Sequence, residues 1–134
     1  MLNANYVRAL LEGTFNLPYE THSRHEVVFD DKLQKANGIA TMDVAKALID
    51  HGFHPPTIYF PLVVAGALMI EPTETESKET LDRFVAAMKA IAEQAKSDPD
   101  ALHAAPTLPF RARLDETRAA RKPVLRWRPG MKVE

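Results

Sequence analysis

Residues 55–84 run Pro55-Pro56-Thr57-Ile58-Tyr59-Phe60-Pro61-Leu62-Val63-Val64-Ala65-Gly66-Ala67-Leu68-Met69-Ile70-Glu71-Pro72-Thr73-Glu74-Thr75-Glu76-Ser77-Lys78-Glu79-Thr80-Leu81-Asp82-Arg83-Phe84, and the order of these residues sets the fold class. Pro55-Pro56 forces an extended backbone. Thr57–Phe60 and Ala67–Glu71, rich in β-branched, aromatic and apolar residues, then predict two strands joined across a turn near Ala65-Gly66. Pro61 cannot donate to a ladder, so it marks an edge, a bulge or a strand end. The polar run Pro72–Ser77 precedes a long helix over about 78–96, in which Leu81, Phe84, Val85, Met88, Ala92 and Ala95 fall on one face. That helix is acidic at its start and basic at Lys96, as the helix dipole favours. Thr73-x-x-Glu76 fits a capping box, and Thr75 or Ser77 can equally serve as N-cap.

Upstream, His25-Glu26-Val27-Val28-Phe29-Asp30 reads as a first strand, bounded by the polar Asp30-Asp31 step. A helix over 42–51 is framed by Thr41 as N-cap and Gly52 as its stop, with Asp43 in the first turn and Val44, Ala45, Leu48 and Ile49 as its apolar stripe. An opening helix over 3–12 carries Tyr6, Val7, Leu10 and Leu11 at helical spacing, with Asn3 or Asn5 as cap and Gly13 as stop. Five of the ten prolines fall in the last 36 residues, where only Asp115–Arg121 reads as helical. The order α-β-α-β-β-α predicts an α+β domain over 1–97, its small antiparallel or mixed three-stranded sheet covered by helices. A Pro-rich, basic, extended C-terminal arm over 98–134 then packs on the domain or on a neighbour.

The chain has 134 residues, 46% of them hydrophobic and 26% charged, the composition of one globular domain able to bury a core without cross-links. It has no cysteine, which excludes disulfides, thiolate nucleophiles and Cys-based metal sites and suits a reducing, cytoplasmic setting. Ile58–Ile70 is the longest apolar stretch. Interrupted by Pro61 and Gly66, it is far shorter than the ~20 residues of a membrane span. Net charge is −1, yet residues 111–134 carry eight basic and three acidic groups. The cations there alternate with Asp115, Glu116, Leu114, Val124, Leu125 and Trp127, a mixture that fits an acidic protein surface better than nucleic acid.

Two histidine pairs, His22/His25 and His51/His54, have i, i+3 spacing. The first runs from loop into strand and the second straddles Gly52, so neither is presented by a regular helix and no metal site is predicted. His25 and His54 stand where loops enter strands, hydrogen-bonded or lining a cleft. Glu71, Glu74 and Glu76 are explained more simply by capping than by acid–base catalysis. The five glycines are isolated, so no glycine-rich loop is present to cradle a phosphate, and no Gly-x-Ser-x-Gly elbow exists. By its residues alone, the chain holds no self-contained active site.

Two blocks carry a resemblance. Asp43–Thr57 (Asp-Val-Ala-Lys-Ala-Leu-Ile-Asp-His-Gly-Phe-His-Pro-Pro-Thr) and Leu68–Phe84 are similar to the C-terminal part of the glycine cleavage system P protein family, the pyridoxal-phosphate glycine decarboxylases. Leu2–Tyr6, the His25-Glu26 pair and Arg113–Leu125 resemble it too, the last in the manner of subunit 2 of the two-subunit form. The resemblance implies the C-terminal small domain of an aminotransferase-like fold type I enzyme, with 1–13 as the linker helix from a missing large domain. It also implies that the intact enzyme decarboxylates glycine and passes the aminomethyl group to the lipoyl arm of the H protein. Pyridoxal phosphate would bind a lysine of the large domain, so this chain alone holds no catalytic, cofactor-binding or metal residue and is inactive. Expected partners are the large domain of the same subunit, P protein subunit 1 and lipoylated H protein, with self-association through an uncovered face, but neither nucleic acid nor membrane. Within the family's pattern, His25, Glu26, His54 and Thr57 are the cleft-lining candidates, Pro55 and Pro56 shape the loop, and Glu71, Thr73 and Glu74 serve helix capping or the interface. A free-standing α+β binding or assembly module without activity stays as the alternative.

Overall fold

The computed structural model describes residues 1–131. Three strands, β1 (Val27–Asp30), β2 (Thr57–Ile58) and β3 (Ala67–Ile70), form a wholly antiparallel sheet in the order β1-β3-β2. β3 is the centre: Ala67, Leu68 and Ile70 are buried, which is why its sequence is continuously apolar rather than alternating. Val27 pairs with Ile70 on one edge and Thr57 with Met69 on the other. β1 is shorter than expected, because His25 and Glu26 stay in the preceding loop. β2 stops at Ile58, where Tyr59 turns into the left-handed region at φ 57°.

The helices are α1 (Leu2–Leu11), α2 (Lys32–Lys35), α3 (Thr41–Asp50), α4 (Lys78–Ser97), α5 (Pro99–Ala104) and α6 (Glu116–Arg121). α1, α3, α4 and α5 bury one core with the sheet. Val7 and Leu11, Val44 and Leu48, Val85, Met88 and Ile91, and Leu102 meet Phe29 and Leu68 there, and the Phe15 and Phe29 rings stand 6.3 Å apart. Each of those side chains contributes roughly 1.5–3 kcal/mol through burial. Among the described residues, no helix is long and apolar enough to cross a membrane.

Two helices depart from the expected order. α2 is a single turn whose only buried residue is Gln34, held by its amide to the Thr14 carbonyl at 2.8 Å. α5 starts with Pro99 at its first turn, and the Asp98 carboxylate accepts the Ala101 N–H at 3.2 Å. Leu102 and Ala105 then enter the core, so the segment after Ser97 is not extended from its start.

The caps are also corrected. Asn3 and Asn5 lie inside α1. Asn5 instead ties the loop before β1, exchanging hydrogen bonds of 2.7 and 3.0 Å with the Ser23 backbone, and Asn3 donates to the Thr73 carbonyl at 2.7 Å. Ala40, not Thr41, occupies the N-cap of α3, and its N–H donates to Asp43 at 2.9 Å. Of the candidates ahead of α4, Ser77 takes the cap by accepting the Thr80 N–H at 3.1 Å. Thr73 forms a turn, with its carbonyl accepting the Glu76 N–H at 3.2 Å.

Thr41 has a different task. Its hydroxyl donates to the Gly66 carbonyl at 2.6 Å, while its N–H donates to the buried Asp31 carboxylate at 3.2 Å. Gly66 sits at φ +66°, and a Cβ there would come within 2.2 Å of Asp31 Oδ1. Both the backbone conformation and the close approach therefore require glycine. Replacing Gly66 by Ala should destabilise the domain by about 2 kcal/mol or more, read as a lower denaturant midpoint; an unchanged midpoint would contradict this close approach.

α3 carries a carboxylate near each end, and each holds the chain beyond α5. Asp43 accepts Arg113 Nη2 at 2.7 Å, and the same guanidinium caps the carbonyls of Leu102 and Ala105 at 3.1 and 2.8 Å. Asp50 accepts the N–H groups of Thr107 and Leu108 at 2.8 and 2.9 Å. Burial pushes both carboxyls up, but hydrogen bonds outweigh it and hold them below the usual aspartate value: Ala40, Arg113 and His103 around Asp43, Leu108 and Thr107 around Asp50. A lowered folded-state value means that the anchorage is complete above the unfolded value of about 4 and is lost as pH falls through the folded one. The amide proton shifts of Thr107 and Leu108 should accordingly titrate with an inflection below about pH 4; an inflection above it would remove the bonds to Asp50.

Candidate functional site

The register of β3 gathers residues far apart in sequence. Because Val27 faces Ile70, the residues just before β1 meet those just after β3. His25, Asn3, Glu71, Pro72, Thr73 and Glu74 consequently line an open hollow of about 400 Å³. On the opposite edge Thr57 faces Met69, which brings the loop before β2 to the same end of the sheet. His54, Pro55, Pro56 and Thr57 line a second cavity of about 360 Å³ with Glu71 and Glu76. Its floor is apolar, made by Val7, Phe53, Leu81 and Phe84, with the Phe53 and Phe84 rings edge to face at 5.4 Å. Glu71 and Pro72 line both cavities and so join them.

Eight of the nine residues singled out from sequence thus share one end of the sheet. Glu26 is the ninth, and it lines a neighbouring groove of about 260 Å³ with the loop 17–25. Its carboxylate lies 3.7 Å from Nε2 of His25, which also lines that groove. Sequence reasoning missed Phe53, Phe84 and Asn3 as lining residues and read Glu76 only as a cap. Phe84 follows from the periodicity of α4 once β3 is placed, Glu76 belongs to the turn before that helix, and Asn3 had no sequence signal toward the site.

Pro55 and Pro56 fix their own φ and hold His54 in an extended backbone, so its imidazole stands at the cavity mouth, exposed. Imidazoles, carboxylates and the Thr57 hydroxyl on an apolar floor can orient a polar ligand and exchange protons with it. Among the described residues no three His, Asp or Glu side chains converge as metal ligands.

A pyridoxal-phosphate Schiff base needs a lysine amine facing its pocket, and neither joined cavity is lined by a lysine. Lys78, at the start of α4, donates to Asp82 at 2.7 Å and lies 5.2 Å from the Tyr6 ring centre. The Asp82 carboxylate holds its ammonium above the usual lysine range, and its amine lines neither cavity. Lys32 and Lys35 line a separate hollow of about 600 Å³ beside Asp30 and Asp31. Those two carboxylates already accept Lys32 N–H, Asn16 Nδ2 and Thr41 N–H. The described residues lining these two cavities do not fit the cofactor.

Comparison with known proteins assigns this architecture. The family described as "Glycine dehydrogenase, C-terminal domain" matches residues 1–108. Three relatives each carry the name "Probable glycine dehydrogenase (decarboxylating) subunit 2". The protein from Oceanobacillus iheyensis is 54% identical over 129 residues, covering 96% of this chain and 27% of its own length. The Staphylococcus haemolyticus protein is 57% identical over 127 residues, 95% of this chain and 26% of its length. The Exiguobacterium sibiricum protein is 53% identical over 133 residues, 99% of this chain and 27% of its length. The chain therefore spans about a quarter of these relatives, and by the match over 1–108 it belongs to the glycine dehydrogenase C-terminal domain family.

Proposed function

We propose that this chain serves as the small C-terminal domain of a decarboxylating glycine dehydrogenase, forming one wall of an active-site cleft whose other wall lies in the remaining three quarters of the subunit. In that enzyme glycine loses its carboxylate as CO2, and the aminomethyl group passes to the lipoyl disulfide of H protein, which is reduced as the C–S bond forms. The electron sink for this chemistry is pyridoxal phosphate, which the reading places on a lysine outside this chain.

One observation carries the proposal. His25, His54-Pro55-Pro56-Thr57 and Glu71-Pro72-Thr73-Glu74, three separate segments, converge on the same open end of the sheet in a chain whose relatives are four times as long. Functional sites of open sheets are built from loops at a strand end, and here the wall is present without its counterpart. In this reading His54 and Thr57 orient the polar end of the substrate, the proline pair holds their loop, and His25 with Glu71 lines the adjoining entrance. Glu26 orients His25. Thr73 and Glu74 meet the large domain. The complete enzyme is cytoplasmic, consistent with a cysteine-free domain.

Glycine-dependent exchange of labelled bicarbonate, measured with H protein, tests this. The isolated chain should show none and form no aldimine absorbance with added pyridoxal phosphate. In the complete enzyme His54→Ala and His25→Ala should each lower kcat/KM by about tenfold or more, as displaced positioning groups do, with the absorbance of the bound cofactor unchanged. Wild-type exchange in both variants would reduce these residues to domain packing, and an aldimine on the isolated chain would overturn the division between the two walls.

A further inference from the structure

The segment from residue 106 has a pinned root and a presented remainder. Asp50 and Asp43 fix the root through Thr107, Leu108 and Arg113. From Leu114 to Met131 no described residue is buried, and α6 within this stretch has no buried side chain. Yet between Leu108 and Trp127 six large apolar side chains face solvent, with Phe110 95%, Leu125 92% and Trp127 71% exposed. Scattered apolar residues on a surface are ordinary; a run of them on a segment with no core of its own marks an interaction site.

The chemistry of the occupant can be narrowed. Residues 111–134 carry eight basic groups against three acidic, and Arg121, Lys122, Arg126 and Arg128 bracket Val124, Leu125 and Trp127 in sequence. Aliphatic side chains between the cations suit a protein groove with an acidic rim, whereas single-stranded nucleic acid calls for successive aromatic platforms. Pro123 and Pro129 restrict the backbone before it binds, which lowers the ordering cost. The extent of the matches narrows it further. The domain family ends at residue 108, whereas similarity to a subunit 2 relative extends over 133 residues. The exposed segment therefore lies beyond the matched domain and within the stretch shared with relatives named as subunit 2.

We infer that residues 114–131 are a docking strap gripped by the companion subunit of the two-subunit enzyme in an acidic groove with apolar pockets, Trp127 and Leu125 being the anchors. This rests on the reading of the chain as part of that enzyme. Buried aromatic anchors dominate such contacts. The flanking cations steer the encounter and make it salt-sensitive.

Sedimentation velocity of the complete subunit 2 mixed with the companion subunit tests the strap, using wild type, Trp127→Ala, Leu125→Asp and a variant ending at Lys122. The single variants should weaken Kd by about thirtyfold or more, and the shortened one should not pair. Wild-type pairing should weaken between 0.05 and 0.5 M salt, while the melting temperature of lone subunit 2 stays the same in all variants. Wild-type Kd in the shortened variant overturns the strap. So does a lowered melting temperature with unchanged Kd, which would lay the segment on its own subunit. Self-association or oligonucleotide binding that disappears on shortening, with pairing intact, would assign a second copy or nucleic acid instead. A wild-type pair that assembles without decarboxylating glycine defeats the functional reading and leaves the strap standing, whereas wild-type subunits that do not pair defeat both.

Discussion

The antiparallel register of β3 between β1 and β2 determines where everything else in this domain lies. A slip of one residue would turn Leu68 and Ile70 away from Phe29 and the helices. It would also separate His25 from Glu71 and His54 from the same carboxylate. The register is held by the core on the faces of the sheet and, at its end, by the Asp31, Thr41 and Gly66 cluster. There a side-chain hydroxyl, a buried carboxylate and a glycine carbonyl fasten the start of α3 to the turn entering β3. Packing and site geometry thus have one cause.

That dependence explains which parts were legible in sequence. α3 and α4 announce themselves by apolar spacing, β1 and β3 by β-branched, aromatic and apolar runs, and the stops of α1 and α3 by Gly13 and Gly52, both left-handed. α2 has no apolar stripe because a single turn needs none; its stability comes from the Gln34 amide on Thr14. α5 did carry a signal, the Asp98-Pro99 pair of a helix start, masked by the proline-rich stretch around it. Thr41 looked like a cap because its residue type is a good one, yet the backbone placed it one position inside the helix, where its hydroxyl serves the neighbouring turn. Such reassignments are tertiary choices, invisible to local propensity.

The site was legible as a list of residues and not as a place. The resemblance named His25, His54, Thr57, Glu71, Thr73 and Glu74, but their convergence depends on strand pairing, which no local pattern encodes. Glu26 shows the converse. Adjacent to His25 in sequence, it lines only the groove of the 17–25 loop, whereas His25 lines both that groove and the hollow at the end of the sheet.

α3 couples the two ends of this architecture. Its N-terminal Asp43 takes a backbone N–H of its own cap and the Arg113 guanidinium, while Asp50 near its other end takes Thr107 and Leu108. The Asp50–Thr57 stretch then leads directly into the cavity loop. A rigid helix therefore has the proposed cleft wall at one end and the root of the exposed segment along its flank. The root of the proposed strap, Arg113 and Thr107, is thus tied through Asp43 and Asp50 to the same helix that leads into the His54 loop.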